Sequence, residues 1–133
     1  MYKRQEIKSI KEKYNKKIIS AITVEKKEDV SKYKNFVSIS DIILFDSKGY
    51  EKSLSYDHNL LNEIPNNINK MIAGNIQFDD DIEKFRNICK YIDISGGLET
   101  SGIKDISKID IFLNKIKQLN NETKKRYPIN RST

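Results

Sequence analysis

The longest uninterrupted apolar run in this chain is four residues, Ile42-Ile43-Leu44-Phe45. That limit constrains the fold more than any other feature. A membrane-spanning helix needs about 20 apolar residues in succession, so this sequence holds none. Every buried surface must come from one-sided elements: helices with an apolar stripe, or strands with an apolar face. Isoleucine supplies most of that surface, at 22 of 133 residues. A chain of this length reads as one domain and buries roughly 65–70% of its extended surface, enough for a core without staples.

The stripes can be followed along the chain. Ile7, Ile10, Tyr14, Ile18 and Ala21 recur at spacings of 3 and 4 and predict an amphipathic helix over residues 3–22. Residues 18–24 are β-branched enough to form a strand instead, after a helix ending near Lys17. Phe36 to Phe45 reads as a strand, Asp46-Ser47-Lys48-Gly49 as a type I turn with a bulge, and Tyr50 to Tyr56 as the returning strand of a hairpin. Pro65 suits the first turn of a helix striped by Ile68, Met71 and Ile72 and ended by Gly74. Asp80 with Glu83 makes a capping box for a helix from Asp81 to Ile92, striped by Ile82, Phe85, Ile88, Cys89 and Ile92. Ser95-Gly96-Gly97 breaks the pattern. A last helix over 104–122 carries Ile106, Ile109, Phe112, Leu113, Ile116 and Leu119. The expected fold is therefore α+β: an N-terminal amphipathic helix, a small antiparallel sheet built on a β-hairpin, then three helices. Residues 1–122 read as a single globular domain and 123–133 as a basic, mobile tail.

Charge is segregated along the chain. Residues 1–34 carry a net +6, residues 35–103 a net −5, and residues 104–133 a net +5. Two basic ends around an acidic middle imply contact with a polyanion or pairing between unlike surfaces. Lysine, isoleucine and asparagine together make up 56 residues, a bias that AT-rich coding produces and that discounts the lysines as a functional signal.

The usual chemical motifs are absent. One cysteine, Cys89, excludes a disulfide framework within one chain and any multi-cysteine zinc site. Cys89 lies on an apolar stripe, where a free cysteine behaves as a small hydrophobe. His58, the single histidine, stands between Asp57 and Asn59 and reads as a surface or capping residue. Asp79, Asp80, Asp81 and Glu83 resemble a cation site in composition, but helix capping accounts for all four. Gly96, Gly97 and Gly102 match no phosphate-loop or dinucleotide spacing. No cofactor and no metal are expected.

What remains is lysine and arginine interleaved with aromatics. Cations neutralise phosphate, and an exposed ring can stack on an unpaired base. The sequence thus predicts a small, non-enzymatic nucleic-acid-associated protein. It would dock through Lys3, Arg4, Lys8, Lys13, Lys16, Lys32, Tyr33, Lys34, Lys124, Lys125, Arg126 and Tyr127. The alternative is a protein-binding regulator, a viral or mobile-element factor or a homo-oligomer that uses its acidic and basic surfaces. With no membrane partner and no secretory leader in view, the expected compartment is the cytosol.

Overall fold

Four short strands lie side by side in the order β1-β2-β3-β4, every neighbouring pair parallel. They are β1 (Ile19–Val24), β2 (Ile42–Ser47), β3 (Lys70–Ile72) and β4 (Tyr91–Ile92). In the computed structural model, residues 4–47 and 56–126 are described, with side chains as far as Glu122.

Parallel neighbours cannot be joined by tight turns, so each strand must be followed by a connection that crosses back over the sheet. Between β1 and β2 this is α2 (Lys27–Val30) and a 3-10 helix at Ser31–Asn35. Between β2 and β3 it includes the 3-10 helix His58–Glu63, and between β3 and β4 the 3-10 helix Ile82–Phe85. Helix α1 (Arg4–Tyr14) precedes β1. A hairpin of β5 (Glu99–Thr100) and β6 (Ile103–Lys104) follows β4 and leads into α3 (Ile106–Arg126). Ser101 and Gly102 both have positive φ at the tip of that hairpin, the geometry a tight two-residue turn requires.

The parallel register sorts the strand residues into two faces. Ile22, Phe45, Ile72 and Ile92 form one rung across the sheet. The first three are buried, with Leu61, Ile64, Ile82, Phe85, Ile88 and Phe112 of the connections and α3 packed in the same core. Phe45, Leu61 and Ile72 have no exposed surface. Sequestering a side chain of that size stabilises the fold by about 1.5–3 kcal/mol. The other rung, Ala21, Leu44, Met71 and Tyr91, lies on the face that no connection covers among the described residues. Ile19 is 53% exposed there and Tyr91 41%. Parallel sheets are ordinarily buried on both faces, so this one has an open face of the kind a second layer or a closing barrel would fill.

This architecture corrects the expected antiparallel sheet. Asp46 and Ser47 do not turn the chain: they continue β2, in register with Thr23 and Val24 of β1. The returning hairpin strand from Tyr50 falls largely on residues 48–55, outside the described residues, and Tyr56 belongs to no strand. Residues 19–24 take the strand alternative, and α1 ends at Tyr14. Tyr14, expected on a buried stripe, is 57% exposed.

Two expected helices are also replaced. Lys70–Ile72 is a strand because Ile72 fits between Phe45 and Ile92 in the buried rung, and pairing with both neighbours outweighs the local helical pattern. The stripe from Ile82 to Ile92 is real as burial but not as one helix: a 3-10 turn carries Ile82 and Phe85, and β4 carries Ile92. Asp81, not Asp80, caps that turn, accepting the Glu83 N–H at 3.2 Å, while Asp80 accepts the Gln77 N–H at 2.9 Å. Helix α3 runs to Arg126, and residues 127–133 lie outside the described residues. None of the described helices is long and apolar enough to cross a membrane.

Candidate active site

All four strands point the same way, so their carboxyl ends gather at one edge of the sheet, where parallel α/β folds place their chemistry. Five features meet there: the turn after β1, Asp46-Ser47 ending β2, Gly74-Asn75 after β3, Asp93 after β4, and Ser95-Gly96-Gly97 beyond it.

Asp46 lies on the open face, two residues beyond Leu44 in the same strand and beside Thr23 across the β1 ladder. Its Oδ1 accepts the backbone N–H of Ser47 at 2.8 Å. Alternation puts the next residue, Ser47, on the buried side. The end of β2 is fixed from behind by Tyr56, whose buried hydroxyl donates to the Phe45 carbonyl at 2.7 Å. Burial pushes the Tyr56 hydroxyl far above its ordinary range, so it stays a neutral donor.

The turn after β3 fits tightly against that strand end. Ala73 donates to the Phe45 carbonyl at 3.0 Å, and Gly74 turns the chain with φ of +97°. A Cβ on Gly74 would stand 3.0 Å from the Ser47 nitrogen and hydroxyl, so the site requires glycine for both conformation and space. Asn75 also has positive φ, and its side-chain oxygen accepts from Gln77 Nε2 at 3.0 Å.

Beyond β4 the chain pairs again. Asp93 donates its N–H to Ile72 at 2.8 Å, and Gly97 forms a bridge with Gln77. A Cβ on Gly97 would fall onto the Ile76 carbonyl oxygen, so only glycine lets these two turns meet. Gly96, one residue earlier, has open space around it. Lys104 holds the turn from outside, donating to the Ser95 carbonyl at 3.0 Å and its hydroxyl at 3.3 Å. Lys108 reaches the Glu99 carbonyl at 2.6 Å. Asp105 caps α3, accepting the Ser107 N–H at 2.9 Å and the Thr100 hydroxyl at 2.7 Å. That hydroxyl leads the interactions holding the Asp105 carboxyl below its ordinary pKa.

After β1, the buried Asp29 accepts the N–H groups of Glu25 at 2.9 Å and Lys26 at 3.1 Å and pairs with Lys32 at 2.9 Å. The Glu25 N–H contributes most, followed by Lys32, and together they hold its pKa down to about 2. Asp29 therefore shapes the turn and is not available for proton transfer.

Among the described residues, several of the expected docking side chains already have partners within the chain. Arg4 donates to the Ser38 hydroxyl at 2.8 Å, Lys13 lies 5.3 Å from the Tyr14 ring centroid, and Lys32 is paired with Asp29. Tyr33 is half-buried against the core, so it presents no stacking platform. Lys8, Lys16 and Lys34 are exposed. Lys3 and Tyr127, with the side chains of Lys124, Lys125 and Arg126, lie outside the described residues. Cys89 is half-buried with its thiol pushed up to about 11 by burial, far from a reactive thiolate. No group of three or more His, Cys, Asp or Glu side chains among the described residues forms a metal set.

Carboxylates next to glycine turns at the carboxyl ends of parallel strands are the arrangement in which parallel α/β folds commonly build their ligand sites. Similarity narrows the class. The family described as N-(5'-phosphoribosyl)anthranilate (PRA) isomerase matches residues 3–115, and the chain belongs to that family. The N-(5'-phosphoribosyl)anthranilate isomerase of Rhizobium johnstonii is 27% identical over 125 residues, covering 87% of this chain and 56% of the relative. That of Agrobacterium fabrum is 29% identical over 112 residues, covering 77% and 51%. Among solved structures, the phosphoribosylanthranilate isomerase of Thermotoga maritima superposes with a TM-score of 0.62 at 20% identity, covering 75% of this chain and 49% of its own. A second isomerase, solved with reduced 1-(o-carboxyphenylamino)-1-deoxyribulose 5-phosphate, gives 0.64 at 19% identity, covering 83% and 53%. The chain thus spans about half the length of the curated relatives it matches.

Family membership overturns the expectation of a non-enzymatic nucleic-acid binder, and with it the alternative of a charge-patterned regulatory or oligomeric partner protein. The relatives are enzymes named for a small-molecule substrate. The basic ends carry no comparable support.

Asp46 and the turns at Gly74 and Gly96-Gly97 escaped the sequence reading because no contiguous motif contains them. A signal was present nonetheless. Ile42–Phe45, Met71–Ala73 and Tyr91–Ile94 are short runs dominated by apolar residues, and each leads into Asp, Gly or Ser-Gly. Runs without polar alternation mark buried parallel strands, and the residues just beyond them mark the catalytic edge.

Proposed function

We propose that this chain supplies half of the active site of a phosphoribosylanthranilate isomerase of tryptophan biosynthesis. The observation that carries this reading is Asp46 on the open face at the carboxyl end of β2, beside the glycine turns, in a chain of this family. The reaction turns an N-ribosyl arylamine into the isomeric 1-amino-1-deoxyketose. A proton goes to the ring oxygen as its bond to C1 breaks. A proton then leaves C2, and the resulting enol becomes the ketone by taking a proton at C1 and losing the one on the C2 oxygen. No electron leaves the substrate, so acid–base groups suffice for the whole sequence.

Asp46 is the proton-transfer carboxylate. It is half-buried within a strand, whereas Asp93 is exposed beyond the end of β4. The substrate phosphate is held by the turns at Gly74-Asn75 and Ser95-Gly97, where glycine allows an anion to approach backbone N–H groups. In closed barrels with eight parallel strands, phosphate frequently sits on the last two such turns, which matches β3 and β4 as the end of the barrel. The open face, with Ile19, Leu44, Met71 and Tyr91, is then the barrel interior. The strands that close the barrel come from the rest of the relatives' length.

The test joins this chain to the unmatched half of the Rhizobium johnstonii enzyme and measures isomerisation of N-(5'-phosphoribosyl)anthranilate. Activity is expected, with Asp46→Asn lowering kcat by roughly 10²–10⁴-fold. An Asp46→Asn form as active as its parent removes Asp46 from the chemistry.

A further inference from the structure

The hairpin after β4 folds a lysine back onto the turn that precedes it. Ser101 and Gly102, both with positive φ, reverse the chain, and the register of β5 and β6 sets Lys104 directly across from Glu99. From there its ammonium returns to Ser95, donating to the carbonyl at 3.0 Å and to the hydroxyl at 3.3 Å, and it lies 3.7 Å from Glu99 Oε2. An ammonium has three N–H donors and no acceptor, and this one is surrounded by oxygens of its own chain. Any effect of Lys104 on a ligand therefore passes through the turn it holds.

The same turn closes on itself by two backbone bonds. The Ser95 carbonyl also accepts the Leu98 N–H at 3.0 Å, and the Gly96 carbonyl accepts the Glu99 N–H at 3.1 Å. Both carbonyls, the groups that would repel an anion, are thus occupied. The donors are not. The Gly96 N–H has no acceptor among the described residues, and nothing lies within 4 Å of a Cβ built on Gly96. Because the Ser95 hydroxyl accepts from Lys104, its own proton remains for an outside acceptor. Ser95 and Gly96 are both exposed.

We propose that Lys104 is a positioning residue for phosphate: by fixing the Ser95 carbonyl and hydroxyl, it sets the Ser95 O–H and the Gly96 N–H toward the substrate phosphate. This deepens the reading given under the proposed function and rests on it for the identity of the ligand. The physical need is plain. A turn with two adjacent glycines has much conformational freedom to lose, and a turn ordered in advance binds without that cost. The Lys104 side chain is 53% exposed, and an exposed ion pair adds little to global stability, so its loss acts on the turn alone.

The experiment compares the 133-residue chain with Lys104→Met and with Lys90→Met, which removes an equal charge from an exposed lysine at the other rim. Amide hydrogen exchange is read at Leu98 and Glu99, and inorganic phosphate is titrated while the Gly96 and Gly97 amide signals are followed. Lys104→Met is expected to speed exchange at Leu98 and Glu99 by roughly tenfold while Phe45 and Ile72 stay protected. It is expected to weaken phosphate binding by about tenfold, with Lys90→Met matching the parent in both measurements. Unchanged exchange in Lys104→Met would overturn the proposal. So would a rise that includes Phe45 and Ile72, which would assign Lys104 to global stability. Phosphate held as tightly by Lys104→Met as by the parent, or weakened equally by Lys90→Met, would overturn it as well. Phosphate that shifts neither glycine amide in the parent defeats the functional reading of the turn, and the exchange comparison then decides by itself whether Lys104 positions it.

Discussion

At the amino ends of the strands, Asp41 takes the Ile18 N–H at 2.7 Å and the Lys11 ammonium at 3.3 Å, and Lys70, only 3% exposed, donates to the carbonyls of Ile64 at 3.1 Å and Leu61 at 3.5 Å. At the carboxyl ends, by contrast, Asp93 is exposed and Asp46 is half-buried on the face left open among the described residues, and the chain turns on Gly74 and Gly97, where a Cβ has no room. The first edge directs its charges at backbone groups of the protein itself. The second leaves its carboxylates at an open surface. A parallel sheet allows this separation because all carboxyl ends, with the loops that follow them, collect at one rim and all amino ends at the other.

The largest expected effect tests the chemical rim. Asp46→Asn in the closed barrel lowers kcat by roughly 10²–10⁴-fold with little change in melting temperature, measured by steady-state kinetics beside thermal denaturation. The opposite signature is expected at the amino rim. Lys70→Met removes the donor from two buried carbonyls and destabilises the chain by about 2–4 kcal/mol in urea melts. A Lys70→Met protein with unchanged stability but lower kcat would reverse the roles of the two ends.

Gly97→Ala blurs the comparison on purpose. The carboxyl rim also has structural needs, since a Cβ at Gly97 collides with the Ile76 carbonyl. The expected cost is about 1–3 kcal/mol, with the same substitution at Gly96, where nothing lies within 4 Å, as the nearly neutral control. The smallest effect is a pH dependence at Asp29. Its folded pKa, about 2, lies below the unfolded value of 3.8, so its contribution is fully present above 3.8 and is lost as pH falls toward 2. Urea melts at falling pH should show that loss, and Asp29→Asn should flatten this part of the profile.

Parts of this design were legible in the residues. Phe112, Ile116 and Leu119 of the final stripe do pack on the core, although Ile106 and Leu113 of the same stripe are 82% and 58% exposed. The four-residue run at Ile42–Phe45 does carry a strand, and the β-branched segment after Lys17 forms another. The other two strands of the sheet have three and two residues, too few to establish a period, so only their short apolar runs mark them. The spacing of Ile82, Phe85, Ile88, Cys89 and Ile92 imitates a helix because a 3-10 turn and a strand deliver side chains to the same core in succession. At Asp46 and Ser47, the described half of the expected Asp46–Gly49 turn, the strand prevails for a related reason. Asp, Ser, Lys and Gly favour a turn in isolation, but β2 gains paired hydrogen bonds with β1 through Ser47, and the ladder outweighs the local preference.

The sequence by itself determined part of the core. Runs of four apolar residues or fewer, spaced by polar ones, require one-sided elements, and Ile43, Phe45, Ile72, Ile82, Phe85 and Ile88 of the stripes and faces read above are buried, whereas Tyr14, Ile106 and Leu113 are exposed. Only the tertiary structure decided the direction of the strands. Parallel and antiparallel pairing make similar local demands on a short apolar segment, and they differ in where the chain goes between strands. That direction is what brings Asp46, Gly74 and Gly97, far apart in sequence, to one rim. Proximity between distant residues is a property of strand order and register, and no local pattern of residues encodes it.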